Sequence, residues 1–206
     1  MFSVIIQAGG QSSRMGQDKA LKPFLGRPLI ERVIERLAPI ADELLVITNQ
    51  PASYAFLNLP LVSDLKPGRG PLGGLYTGLA SAAAPVVGVV ACDMPFANAA
   101  LFKTAAAILV EEQVDVVIAK TPEGFEPLHA VYRRTACMPA IESAIASDQW
   151  RMVSWFPLVR VRTLAADEIG RCDPEHLAFW NVNTPEDFAE AEARASGRSA
   201  PGRARD

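Results

Sequence analysis

Short, nearly unbroken runs of Val, Ile and Leu alternate through the first half of the chain with longer stretches whose apolar side chains recur every three or four positions. The short runs are "FSVII" (2–6), "ELLVIT" (43–48), "VVGVVAC" (86–92) and "VDVVIA" (114–119). Runs without polar alternation are the pattern of strands buried on both faces of a parallel sheet. Between them, "PLIERVIERLAPI" (28–40), "PLGGLYTGLASAAA" (71–84) and "NAALFKTAAAILVEEQ" (98–113) read as helices. In the first, Leu29, Val33 and Leu37, with Ile30 and Ile34, form one apolar stripe opposite Glu and Arg. Strand alternating with helix predicts an α/β fold: a three-layer, Rossmann-like open sheet, mostly parallel, with helices on both faces.

The second half is less regular. "EGFEPLHAVYRRT" (123–135) reads as a turn and a strand, and "CMPAIESAIASDQ" (137–149) as a helix. Further strands are expected near "LVRVRTL" (158–164) and "AFWNVN" (178–183). A last helix starts at "TPEDF", where Thr184 can cap, Pro185 takes the first position, and Glu186 and Asp187 suit the positive end of the dipole. Residues 1–196 are expected to form a single domain, and 197–206, which lack an apolar face, a disordered tail.

Composition narrows the function classes. Of 206 residues half are hydrophobic and 21% charged, with a formal net charge of −3, so the basic excess expected of a nucleic-acid partner is missing. No run approaches the ~18 apolar residues of a membrane span. The sequence enters "FSVII" without a basic leader, and Cys92, Cys137 and Cys172 are odd in number and widely spaced, matching neither a disulfide framework nor a metal-ligand pattern. A soluble, cytoplasmic protein is the expectation.

The chemistry concentrates in "VIIQAGGQSSRMGQDKA", Val4 to Ala20, where the first strand breaks into glycines. A glycine-rich turn between first strand and first helix is where open α/β sheets bind phosphate, because bare backbone turns several N–H groups toward the oxygens. The Walker spacing is absent, since Gly16 is followed by Gln17, Asp18 and Lys19, and Gly9-Gly10 then Gly16 does not make G-x-G-x-x-G. What remains is a loop of about ten residues, longer than the ~2–6 of ordinary connections. It carries Arg14 and Lys19 with the hydroxyls of Ser12 and Ser13, groups that suit a polyanion such as a triphosphate.

Three further motifs follow. "SDLKPGRGPLGGLYTGL" (63–79) contains Asp64 and places Gly73-Gly74 near a helix start, where thin backbone allows either a ligand or a strand to come close. "VVACDMPF" (89–96) sets Asp93 at the carboxyl end of an apolar strand, the ligand-binding edge of such sheets. One carboxylate with substrate phosphates and waters is a normal way to hold Mg²⁺, with Mn²⁺ an alternative because both take oxygen ligands; the rival reading of Asp93 is a turn or helix cap. In "WNVNTPEDF" (180–188), Asn181 and Asn183 would alternate with Val182 along a strand and point the same way. His129 in "EPLHAVYRR" has no Asp or Ser partner in sight, which favours a structural or pocket-lining role over a triad.

The string A-G-G-x-S-S-R-M-G-x-D-K-A-L, Ala8 to Leu21, resembles the signature of the molybdenum cofactor guanylyltransferase (MobA) family, and the other three motifs stand in that family's order across nearly the whole chain. Gln7 departs from the leucine usual before Ala-Gly-Gly, though its backbone can still line a base pocket. The resemblance implies the nucleotide-diphospho-sugar transferase type of fold. It also implies transfer of GMP from GTP to molybdopterin, giving the guanine dinucleotide and pyrophosphate. Lys19, Arg14 and Asp93 would be catalytic, with Gln7, Ala8, Gly9, Gly10, Ser12, Ser13, Lys19, Asp64 and Asp93 on the nucleotide. Asp93 would hold Mg²⁺ (or Mn²⁺), and Asn181 and Asn183 would border the acceptor. GTP and molybdopterin are the implied partners, along with other cofactor-biosynthesis proteins and the receiving molybdoenzyme; nucleic acid and membrane are not. Gly9 is the family's choice in guanine users, whereas cytosine users tend to have Ala. A cytidylyltransferase on the same pterin and a sugar-1-phosphate nucleotidyltransferase remain alternatives, the latter weakened by Ser12-Ser13-Arg14 in place of Gly-Thr-Arg. A non-catalytic docking module would be expected to have lost a cation or the aspartate.

Overall fold

A computed structural model describes residues 1–9 and 18–197. In chain order the strands are β1 (Phe2–Gln7), β2 (Pro23–Phe24), β3 (Arg27–Pro28), β4 (Glu43–Ile47), β5 (Leu61–Val62), β6 (Val86–Ala91), β7 (Val116–Thr121), β8 (Gly124–Arg133) and β9 (Val161–Thr163). The helices are α1 (Leu29–Leu37), α2 (Pro51–Tyr54), α3 (Gly70–Ser81), α4 (Ala99–Glu111), α5 (Arg134–Ala146), α6 (Ala166–Cys172) and α7 (Pro185–Ala195). Seven strands form one sheet in the order β5-β4-β1-β6-β8-β7-β9, and β2 and β3 pair as a small separate hairpin. All neighbours are parallel except β8, which runs antiparallel to both β6 and β7.

Strict side-chain alternation on β1 explains the three layers. Val4 and Ile6 face a core with Ile30, Val33 and Leu37 of α1 and Leu101, Phe102 and Leu109 of α4. Ile5 faces the opposite way, toward Leu72, Leu75 and Leu79 of α3 and Ile141 of α5. With both faces covered, β1 can be apolar throughout, as its sequence is. On α3, Gly78 makes the layer fit: a Cβ there would stand 2.7 Å from Cδ1 of Ile5. Where α4 begins, Asn98 caps it by accepting from the N–H groups of Ala100 (2.8 Å) and Leu101 (3.1 Å). Among the described residues no helix is long and apolar enough to cross a membrane.

The expectation of a strand at 178–183 is corrected. Trp180 N–H donates to Leu177 O in a turn, and Val182 N–H donates to Asp93 O, not to a strand of the sheet. The apolar residues that suggested a strand serve three different neighbours. Ala178 joins the α1–α4 core, Trp180 stacks on Phe96 at 5.6 Å, and Val182 packs with Phe24, Leu29, Phe188 and Ala191. The short elements β2, β3, β5, α2 and α6 go unanticipated, each too brief to show a period.

Candidate nucleotide site

The parallel strands β1 and β6 lie side by side and end together, with Gln7 level with Ala91. Beyond them the pairing continues briefly: Ala8 N–H reaches Ile47 O at 2.8 Å, and Cys92 N–H reaches Gln7 O at 3.1 Å. Gly9 and Asp93 thus each lie two residues past the last paired position of their strand, at the carboxyl edge where such sheets take ligands. Gly10, Ser12, Ser13 and Arg14 lie outside the described residues.

The chain is described again from Asp18, which caps the 3-10 turn Lys19–Leu21 by accepting from Ala20 N–H at 3.1 Å. Its second oxygen accepts from the hydroxyl of Tyr54 at 2.5 Å, a fully buried ring on α2. Lys19, on that turn, donates its Nζ to Oδ1 of Asn183 at 2.6 Å. Asn183 is held in turn by α7, because the Asp187 carboxylate accepts from both Asn183 N–H (3.0 Å) and Thr184 N–H (2.9 Å). Thr184 completes the reciprocal cap by accepting from Asp187 N–H at 3.1 Å, as the sequence led us to expect. Asn181 and Asn183 each donate Nδ2 to the carbonyl two residues earlier, Phe179 O and Asn181 O, both at 3.4 Å.

Asp93 joins the same group through its backbone, since its carbonyl accepts from Val182 N–H at 2.9 Å, one residue before Asn183. Burial raises its carboxyl above the usual carboxylate range, and the positive charge of Lys19 draws it partly back. Oδ1 of Asp93 is buried and has no hydrogen-bond partner among the described residues. A buried acceptor without a donor is costly, and it is relieved by a cation or a proton. Among the described residues no three His, Cys, Asp or Glu side chains gather as a metal site. A divalent ion here would therefore rest on Asp93 with oxygens from substrate and water, a donor set that fits Mg²⁺ or Mn²⁺.

The second motif takes a more structural form. Asp64 accepts through Oδ1 from the Thr77 hydroxyl (2.8 Å) and from Lys66 N–H (2.9 Å), so part of its carboxylate shapes its own loop. Gly73 is required by that loop, since a Cβ there would meet Lys66 O at 2.8 Å and Asp64 Oδ2 at 3.1 Å. Gly74 lies against the side chain of Gln7, whose Nε2 is buried without a partner among the described residues. Asp64, Gln7 and the two glycines therefore meet at the start of α3.

His129 has a structural partner. Its Nε2 accepts from Asn98 N–H at 3.0 Å, which places the proton on Nδ1, and the ring stacks on Phe102 at 4.4 Å. Burial lowers it to about 4. The thiols of Cys92 and Cys137 are pushed up by burial. Tyr54 and Thr77 are the members of the site region that sequence reading missed: Tyr54 lies outside every motif, and Thr77 stands within the glycine-rich 63–79 stretch among more conspicuous residues.

Comparison with known proteins shows the family and the fold. The MobA-like NTP transferase domain matches residues 4–159. The molybdenum cofactor guanylyltransferase of Desulfosudis oleivorans is 37% identical over 190 residues, covering 92% of this chain and 93% of that protein. The crystal structure of molybdopterin-guanine dinucleotide biosynthesis protein A from Archaeoglobus fulgidus superposes with a TM-score of 0.82 at 25% identity, covering 95% of this chain and 99% of that one. A 4-diphosphocytidyl-2C-methyl-D-erythritol synthase from Anaerococcus prevotii, at 14% identity and a TM-score of 0.66 over 95% of this chain and 98% of that one, shares the fold.

Proposed function

The chain belongs to the family of MobA-like NTP transferases, and from that premise we propose that it transfers GMP from GTP to the terminal phosphate of molybdopterin, releasing pyrophosphate. The observation that carries the reading is the meeting of three distant motifs at one sheet edge: Lys19 on Asn183, and Val182 on Asp93.

The reaction asks little acid–base chemistry of the protein. The acceptor phosphate is already an anionic nucleophile; its oxygen attacks the α-phosphorus of GTP, the bond to the bridging α–β oxygen breaks, and pyrophosphate leaves with the electron pair. What is needed is alignment of two anions and support for the charge that moves to the leaving group. Lys19 supplies a point charge beside that group, and Asn183 fixes its amine in one place. Arg14 is assigned to the same phosphates, and Gly9, Gly10, Ser12 and Ser13 to the triphosphate backbone, on the strength of the motif. Asp93 would hold Mg²⁺ or Mn²⁺, which when bound neutralises charge on the phosphate oxygens. Gln7, Ala8 and Asp64 are assigned to the nucleotide, and Asn181 and Asn183 to the acceptor side.

The test is selective binding. Titration calorimetry with GTP, CTP and ATP, with and without magnesium, is expected to give metal-dependent uptake of GTP alone. Preference for CTP would move the assignment to a cytidylyltransferase, and uptake of none of the three would overturn it.

A further inference from the structure

Asp18 stands next to Lys19 in sequence, and an adjacent carboxylate is the obvious counter-ion for a lysine amine. The structure does not pair them. One oxygen of Asp18 accepts from Ala20 N–H at 3.1 Å and the other from the Tyr54 hydroxyl at 2.5 Å, while Lys19 turns to the neutral amide oxygen of Asn183 at 2.6 Å. Lys19 forms no ion pair among the described residues. Tyr54 is wholly buried and sits at the end of α2, 36 residues from Asp18, so the contact is made by the fold and not by local sequence. A buried hydroxyl needs a partner, and this one has been given a carboxylate, the stronger kind of acceptor.

From this we propose that Tyr54 is a positioning residue for Lys19: by donating its hydroxyl to Asp18 it keeps that carboxylate from neutralising the lysine and leaves the cation free for a phosphate chain. The proposal rests on the reading of Lys19 as a phosphate-binding cation. Asp18 is then useful twice, as the cap of the turn that carries Lys19 and as an anion kept off it. Without the hydroxyl, Oδ2 of Asp18 would lose its donor, and the adjacent ammonium is the nearest replacement in sequence. An ion pair there would compete directly with the triphosphate.

The probe is inorganic tripolyphosphate, which carries the phosphate chain without a base, so its binding is independent of nucleotide preference. Affinity would be measured by calorimetry at low salt for the wild type and for Tyr54→Phe, Tyr54→Phe/Asp18→Asn and Lys19→Met, with thermal midpoints alongside. Tyr54→Phe keeps the buried ring and is expected to weaken binding by about tenfold, the scale of one charge-assisted hydrogen bond. Adding Asp18→Asn is expected to restore most of that loss, because a neutral amide cannot neutralise Lys19. A purely structural role predicts no rescue, since asparagine caps the turn as aspartate does and does not restore the lost hydroxyl contact. Equal affinity in wild type and Tyr54→Phe, failure of Asp18→Asn to rescue, or no binding by the wild type would each overturn the proposal. Tripolyphosphate binding that follows the expected pattern in a protein without preference for GTP would sustain it while removing the guanylyl reading.

Discussion

The amine of Lys19 donates to the side-chain oxygen of Asn183 at 2.6 Å, joining positions 164 residues apart. The contact turns the end of the glycine-rich segment and the start of α7 into one site, and Asn183 is exposed, so it carries little of the core. Asn183→Ala is expected to lower turnover by about tenfold to a hundredfold, the cost of a catalytic group displaced by about an ångström. The thermal midpoint should stay near that of the wild type. Pyrophosphate release with GTP and molybdopterin, together with a melting curve, checks both halves.

Asp93 offers a sharper separation of chemistry from folding. Its carboxylate is already disfavoured by burial, so Asp93→Asn should leave stability unchanged or higher while removing the charge that would hold a divalent ion. Turnover is expected to fall by about a hundredfold or more. Wild-type rates in the purified variant would remove Asp93 from the mechanism.

Two glycines should respond in opposite ways. At Gly78 a methyl would press on the fully buried Ile5, at 2.7 and 2.8 Å from two of its carbons, and overpacking of this kind costs about 1–3 kcal/mol. Gly78→Ala is therefore expected to lower the thermal midpoint by roughly 5 °C. At Gly9 nothing among the described residues lies within 4 Å of the added carbon, so Gly9→Ala should melt like the wild type yet bind GTP more weakly if this backbone approaches the triphosphate. Differential scanning calorimetry and a GTP titration on both variants tell packing from binding.

How much of this could be read beforehand follows from how local each signal was. The strands β1, β4, β6 and β7 and the helices α1, α3 and α4 announced themselves because burial on both faces, or on one stripe, writes a period into the sequence. The segment "AFWNVN" misled because its apolar residues serve three separate clusters, so no period describes their surroundings. Lys19, Asp93 and Asn183 stood in recognisable motifs, but their meeting is a product of topology. Tyr54 had no signal at all: one aromatic residue in a short helix looks the same whether it fills space or holds a carboxylate. Gly73 and Gly74 were visible as thin backbone, and only their neighbours reveal that packing against the loop and Gln7 accounts for them.

His129 gives the fold a pH dependence with a definite sign. Burial holds the folded-state value at about 4, below the ordinary 6.5, so between these values the unfolded chain binds the proton and the folded one does not. Its contribution to stability is thus complete above pH 6.5, declines as pH falls toward 4, and amounts to a loss of up to roughly 3 kcal/mol. His129→Gln, which can still accept from Asn98 N–H, should flatten that part of the profile. Urea denaturation at pH 7 and pH 5 for both proteins measures it, and equal slopes would contradict the account.

The most direct test of the central claim follows the α-phosphate. With molybdopterin and magnesium present, label in the α-position of GTP is expected to appear in a pterin dinucleotide, with one pyrophosphate released per transfer and no transfer from CTP. Label that stays in GTP, or that is transferred from CTP in preference, would contradict the assignment.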